Sequence, residues 1–216
     1  MRVVSVNVGR PRTIEWNGES FATGIFKAPV TERIAMRTVN LDGDEQADLR
    51  VHGGPEKAVY AYASERYPFW RHKLDRADLP PGSFGENLTI LGLLEEDAHI
   101  GDRFRIGTTE VVVTQPRIPC FKLAAKFDRT EIVKEFLESG YSGFYLAVLR
   151  EGEVGAGDAI EVVARDPQSV SIADLNRIYL HKEDGFALMR RAVQVEALAE
   201  GWREMFAKRL KRAVER

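Results

Sequence analysis

Short strand-like runs, broken by Gly, Asp and Pro, fill the first 165 residues, and no such run follows Asp166-Pro167. The runs are Arg2–Val8, Glu19–Ala28, Ile34–Leu41, Asn87–Leu91, Arg103–Ile106, Glu110–Thr114, Phe144–Leu149 and Ala159–Ala164. Many short strands bounded by turn residues predict a barrel or sandwich. Two helical patterns interrupt them. Lys57–Leu74 is aromatic-rich, and Pro68 is expected to kink or break it. Arg129–Ser139 places Ile132, Val133, Phe136 and Leu137 on one face and stops at Gly140. Beyond residue 166 three helices are predicted, over Ser171–Leu180, Glu183–Arg191 and Glu196–Val214. Ser171 is a candidate N-cap, and Asp174 takes the reciprocal position of a capping box. The last helix carries an apolar stripe of Leu198, Trp202, Met205, Phe206 and Leu210. Three short helices make a marginal core alone, so they should pack on one another and on the β domain or a second subunit. The expected fold is mainly β with α: a β domain over residues 1–165 and a small three-helix appendage over 166–216.

Charge and cysteine usage remove several classes of function. With 31 Lys and Arg against 33 Asp and Glu the net charge is −2, so no basic field points to nucleic acid. A single cysteine, Cys120, excludes an intrachain disulfide framework and a cluster held by about four thiolates. No apolar run approaches the roughly 20 residues that span a bilayer, and the N-terminus reads as a strand rather than a leader. These features predict a protein of the reducing cytoplasm with no membrane association. His72, His99 and His181 show no ligand spacing, so a zinc site is not expected. Trp16, Trp70 and Trp202 read as packing anchors.

Three blocks carry chemical signal. In Thr114-Gln115-Pro116-Arg117-Ile118-Pro119-Cys120-Phe121-Lys122-Leu123 the thiol follows two prolines that stiffen the chain. Arg117 and Lys122 flank it with positive charge, which favours a thiolate. Such a group can act as nucleophile, redox thiol or soft metal ligand, or it can be a buried structural cysteine. In Arg50-Val51-His52-Gly53-Gly54-Pro55-Glu56-Lys57 a Gly-Gly turn enters a helical pattern. That arrangement exposes backbone N–H groups to an anion, with Arg50, His52 and Lys57 as further donors; a plain tight turn is the simpler reading. In Gly82-Ser83-Phe84-Gly85-Glu86-Asn87 an acid–amide pair enters a strand. Asn87 could read a polar heterocycle or simply cap its own loop.

In their order along the chain, LDGDEQAD, VHGGPEKAVYAY, GSFGENLTILGL, IGDRFRIG and QPRIPCFKL resemble the MOSC domain family, and most closely its YiiM-like branch. The resemblance covers roughly residues 20 to 165, and the helical tail resembles the three-helix appendage of that branch. It implies a MOSC-type β-barrel core that holds a molybdenum cofactor (Mo-molybdopterin), with Cys120 as the metal ligand beside the cofactor's own sulfurs. It also implies reduction of N-hydroxylated small molecules, such as hydroxylaminopurines and hydroxamic acids, to the parent amine or amide. Electrons would then come from a separate flavin or iron–sulfur reductase. Some relatives carry an arginine a few residues beyond the pair matching Gly143-Phe144. Here the first basic residue is Arg150, which leaves a cofactor contact from that strand open.

On this reading Arg50, His52, Gly53, Gly54 and Lys57 form the anion cradle for the cofactor phosphate. Asn87 and Gln115 face the pterin edges, and Arg117 and Lys122 support the thiolate. His52 and Glu86 are the candidate proton donors. The alternative is a carrier that holds the cofactor, or persulfide sulfur, on Cys120 without turnover. A more remote one is a thiol hydrolase pairing Cys120 with His52. The basic last helix suits docking to an acidic reductase or a homodimer contact. Truncation near Asp166 is therefore expected to leave a working β domain.

Overall fold

Eight strands form one strongly bent mixed sheet, and the order in which they pair explains where the chain opens a cleft. The computed structural model describes residues 1–47, 53–181 and 185–214. The strands are β1 (Arg2–Val8), β2 (Arg12–Trp16), β3 (Glu19–Thr23), β4 (Ala28–Val30), β5 (Ile34–Met36), β6 (Val59–Ala63), β7 (Leu88–Leu91), β8 (Arg103–Ile106), β9 (Thr109–Pro116), β10 (Phe144–Arg150), β11 (Gly152–Val154) and β12 (Ile160–Ala164). The helices are α1 (Tyr67–Leu74), α2 (Phe121–Phe127), α3 (Ile132–Ser139), α4 (Ile172–His181), α5 (Phe186–Ala192) and α6 (Glu200–Val214). The main sheet runs β12-β8-β9-β10-β6-β7-β1-β4, and only β6 and β7 pair in parallel. Pairs β2–β3 and β5–β11 stand apart from it.

The ladder does not run unbroken around a closed barrel. Its ends nevertheless meet. The start of β1 bonds the segment leading into β12, through Val3 N–H to the Asp158 carbonyl (2.9 Å), Gly157 N–H to Val3 (2.9 Å) and Ile160 N–H to Met1 (3.0 Å). β4 takes the same side of β1 farther along, at Val6 to Val8. One strand thus shares its outer edge between two partners, and the sheet curls without sealing.

Lys57–Leu74 is not one helix. Its first part is β6, Val-Tyr-Ala-Tyr-Ala, buried at every position and placed between β10 and β7. A strand covered on both faces shows no alternation, so its aromatics mimic helical spacing. The helix begins only at Tyr67, and Pro68 sits in its first turn, where a missing N–H is harmless. The β2–β3 hairpin, unseen in the sequence reading apart from Glu19 onward, turns on Asn17 (φ 51°) and Gly18 (φ 80°). An Asn-Gly pair with both residues left-handed is the turn a two-residue hairpin requires. The capping box is present: Asp174 N–H donates to Ser171 Oγ (3.0 Å), and Ser171 N–H to the Asp174 carboxylate (3.3 Å).

Two apolar clusters fill the molecule. One joins the sheet to the C-terminal helices without a break, from Val3, Val6 and Val113 to Leu175, Met189, Trp202 and Phe206. The other is aromatic and lies beneath the cleft. In it Trp70 stacks on Phe136 (5.3 Å between centroids), and the Trp70 indole donates to the Tyr62 hydroxyl at 2.6 Å. Among the described residues no helix is long and apolar enough to cross a membrane.

Candidate functional site

Where β9 ends at Pro116, the chain turns across the mouth of the bent sheet before entering α2, and Cys120 is the residue at that entry. It occupies the N-cap position with extended backbone (φ −132°, ψ 177°) and is half-buried. A cleft opens beside it. Its walls come from Thr23 to Lys27 after the hairpin, the segment 44–47, the Phe84–Asn87 loop, the 117–122 crossing, and Tyr60 and Tyr145 on neighbouring strands.

Of the residues expected to form a site, Cys120, Lys57, Asn87, Arg117 and Lys122 line this cleft together. Arg50 and His52 lie outside the described residues. Gly53 and Gly54 stand just before the short 3-10 turn Pro55–Lys57, with Gly54 left-handed at φ 94°, and of the described residues of that block only Lys57 is among the lining residues. Glu86 and Gln115 are buried and are not among the lining residues.

Burial gives Glu86 a different task from the one its position in the loop suggests. Its carboxyl group accepts bonds from the N–H groups of Gly82 (2.7 Å) and Phe84 (3.0 Å), from the Thr89 hydroxyl (2.9 Å) and from the Tyr67 hydroxyl. Four donors hold it inside the fold, where it fixes the 82–89 loop. Tyr67 is correspondingly driven to a higher pKa, first by burial and then by the nearby Glu86 charge. Asn87 is equally committed. Its Oδ1 accepts from Tyr60 N–H (3.1 Å), and its Nδ2 donates to Asp44 (2.9 Å) and to the Asn7 carbonyl (3.4 Å). It stitches β1, β6 and the 44–47 segment together and contributes only its flank to the cleft.

The floor of the cleft holds an ion pair that the sequence did not advertise. Lys27 and Asp44 are in direct contact, with side chains 7% and 1% exposed. Asp44 also accepts from Gly9 N–H (2.9 Å). Burial lowers the Lys27 pKa, with Asp44 opposing that shift. Tyr60 and Tyr145 were missed as well. Both have raised pKa values, caused first by burial and opposed by the charge of Arg117. The residue spacing gave no sign of them, because strands β6 and β10 bring them to the cleft only through sheet pairing.

Two buried polar atoms have no hydrogen-bond partner among the described residues: Gln115 Nε2 and Arg117 Nη1. Native proteins rarely leave such donors unmet, so each calls for an explanation. The described residues contain no group of three or more His, Cys, Asp and Glu that could hold a metal ion. Cys120 is the one thiolate the sequence offers a metal, so a metal bound there needs further ligands from elsewhere. A metal carried by a sulfur- and phosphate-bearing organic group meets that condition, and the cationic, donor-rich walls fit such a group.

The curled sheet presents one thiol and several cationic side chains to a shared cleft. The chain belongs to the MOSC domain family, whose model matches residues 48–161, and a YiiM-like 3-alpha helix domain matches residues 170–213. It is 44% identical to YflK of Bacillus subtilis over 96% of this chain and 93% of that protein. It is 33% identical to YiiM of Escherichia coli, over 88% and 86% of the two chains. A protein of Gibberella moniliformis named as a reductase is 29% identical over 89% of this chain, which corresponds to only 35% of that longer protein. The solved structure of YiiM from Geobacillus stearothermophilus superposes with a TM-score of 0.82 at 38% identity, covering 97% and 98% of the chains. MOSC domains are associated with the molybdenum cofactor, so the function of this chain is related to that cofactor.

Proposed function

We propose that the chain binds a molybdenum cofactor in this cleft through Cys120 and reduces N-hydroxylated small molecules to the parent amine or amide. The observation that carries the reading is the lone thiol of a MOSC chain opening on a cleft that is also lined by Arg117, whose buried Nη1 no described residue satisfies. When bound, that cofactor supplies the two-electron redox chemistry that breaks an N–O bond. The residues of the chain do the rest. Cys120 Sγ offers the soft donor, and Arg117 and Lys122 surround it with positive charge. Arg117 Nη1 supplies a hydrogen bond to an acceptor of the bound group. Lys57 extends the cationic wall toward the Gly53–Gly54 turn. Tyr145 lines the cleft as a neutral phenol, its pKa raised further by burial, and its hydroxyl is available as a hydrogen-bond donor. Glu86 acts one layer below, by holding the loop.

Reduction needs an electron source. One thiol among these 216 residues cannot ligate a four-thiolate iron–sulfur cluster, and we propose that the electrons come from a flavin or iron–sulfur reductase.

The test uses protein made in a host that assembles the cofactor. Molybdenum and pterin content are measured, and then turnover of a hydroxylaminopurine and a hydroxamic acid with an artificial electron donor. Wild-type protein should carry both metal and pterin and turn over. Cys120→Ser should keep the fold, since the change is nearly isosteric, and lose metal and activity together. Full activity in that variant sinks the assignment. A loaded protein that never turns over would identify a cofactor carrier instead.

A further inference from the structure

Arg117 is one of two residues with a buried polar atom that no described residue satisfies. It is 6% exposed, and its Nη1 has no hydrogen-bond partner among the described residues. Among the described residues no carboxylate forms an ion pair with it. Its guanidinium instead lies 5.4 Å from the Tyr60 ring centroid and 5.0 Å from that of Phe136. Rings can stabilise a desolvated cation, but they cannot satisfy an N–H directed away from them. Burial of a charge without a counter-charge is costly, and a fold tolerates it where a ligand completes the site.

The surroundings say which ligand. Among the described residues four basic side chains line the cleft, Lys27, Lys57, Arg117 and Lys122, against two acidic ones, Asp44 and Glu45. Asp44 is already engaged by Lys27, Gly9 and Asn87. Lys126, close behind, donates to the Ile25 and Gly82 carbonyls at 2.9 and 2.7 Å and adds a further cation without a carboxylate partner among the described residues. Gln115, two residues before Arg117, holds the other unmet donor. A planar, permanently charged fork suits an oxyanion that can accept two bonds at once.

We propose that Arg117 forms a buried subsite for a tetrahedral oxyanion of the phosphate class, separate from the Gly53–Gly54 turn. The anion has two sources: the phosphate of the bound cofactor, or an anionic group on the substrate. This choice of sources rests on the reading of the cleft as a cofactor site, whereas the subsite itself does not.

The experiment separates the two. Cofactor-free protein labelled with ¹⁵N-arginine is titrated with inorganic phosphate, and guanidinium resonances and heat are recorded, with chloride as the control. Saturable binding that shifts the Arg117 resonance is expected, with chloride far weaker. Arg117→Met should lose about tenfold or more in phosphate affinity, and Arg117→Lys should fall between, since it keeps the charge and loses the fork. The resonance shift in wild-type protein serves as the readout if the methionine variant does not fold. Cofactor-loaded protein is then titrated in the same way. Loss of phosphate binding on loading assigns the subsite to the cofactor, and retained binding assigns it to the substrate. Phosphate binding that leaves the Arg117 resonance unmoved, or an affinity unchanged in Arg117→Met, overturns the proposal. Phosphate binding in a protein that never takes up pterin would leave the subsite standing and remove the cofactor reading.

Discussion

At the scale of single residues, the cleft concentrates cations whose cost is carried by the fold. Lys126 shows this most directly. Burial pushes its pKa down from 10.5 to about 8; Glu86 opposes the shift, while Lys27, Arg117 and Arg12 add to it. Between pH 8 and 10.5 the unfolded chain holds a proton that the folded chain has released, so stability rises with pH across that window. Below pH 8 both states are protonated and the burial cost is fully present. Stability of wild-type protein should therefore gain on that of Lys126→Met by on the order of 1–3 kcal/mol as pH climbs from 7.5 to 10.5. Urea unfolding of the two proteins at several pH values checks this, and a difference that stays flat with pH refutes it. Cys120, Lys57 and Lys122 were legible as site residues because charge and a braced thiol are visible in a short stretch of sequence. Glu86 and Asn87 were legible as important, with a loop cap as one reading of Asn87, but their actual partners were not legible. Their partners Tyr67, Thr89, Asn7, Tyr60 and Asp44 are scattered along the chain, and nothing local ties them together.

Among elements, the decisive piece is the entry to β10. Gly143 is left-handed (φ 61°), and a Cβ there would lie 2.4 Å from the Ala61 carbonyl oxygen on β6. Its N–H donates to the buried Glu95 (2.9 Å), and its carbonyl accepts from Arg117 N–H (3.4 Å). One glycine thus seats β10 on β6 and anchors the start of the 117–120 crossing. Gly143→Ala should destabilise the protein by about 2–4 kcal/mol, through the unfavourable φ and the forced separation of two central strands. For a chain of this size that corresponds to a fall in Tm of roughly 4–15 °C. A melting curve within a degree of wild type contradicts this account. The sequence shows why β6 itself was misread. Tyr60, Tyr67 and Trp70 suggest one helical face, but Tyr60 belongs to a strand with both faces covered and the other two to the helix that follows. Period-based reading fails where burial is two-sided, and it succeeds for β1 and α6, where one face is wet.

Across the whole molecule, the C-terminal helices are less separable than the change in composition at residue 166 suggests. Leu175, Ile178, Met189, Trp202 and Phe206 share one apolar cluster with Val113, Phe144 and Leu146 of the sheet. Backbone bonds continue the join, from Ile100 N–H to the Val170 carbonyl and from Ile172 N–H to Ala98, each at 2.9 Å. The start of α6 bonds to β9 and to the short turn before β6, next to cleft-lining residues. Glu200 N–H donates to the Glu56 carboxylate (3.0 Å), Ala199 N–H to the Thr114 carbonyl (3.3 Å), and the Thr114 hydroxyl to the Glu56 carbonyl (2.7 Å). Glu56 adjoins the cleft-lining Lys57, and Thr114 lies three residues before Arg117, so α6 braces two stretches that lead to the cleft. A carboxylate at the N-terminus of a helix is also placed to favour its dipole. Removal of residues 166–216 should therefore expose apolar surface and give a β domain that binds a hydrophobic dye and lacks a cooperative melt, rather than a working enzyme. Glu56→Ala makes the finer test, since it leaves the shared core intact. It should cost about 0.5–1.5 kcal/mol of stability, speed hydrogen exchange at the start of α6, and weaken phosphate binding in the cleft, while Glu56→Gln keeps the acceptor and most of the effect is restored. A truncated protein that melts cooperatively and retains cofactor, together with a Glu56→Ala variant of unchanged phosphate affinity, would show that the helices only cover the sheet and take no part in shaping the site.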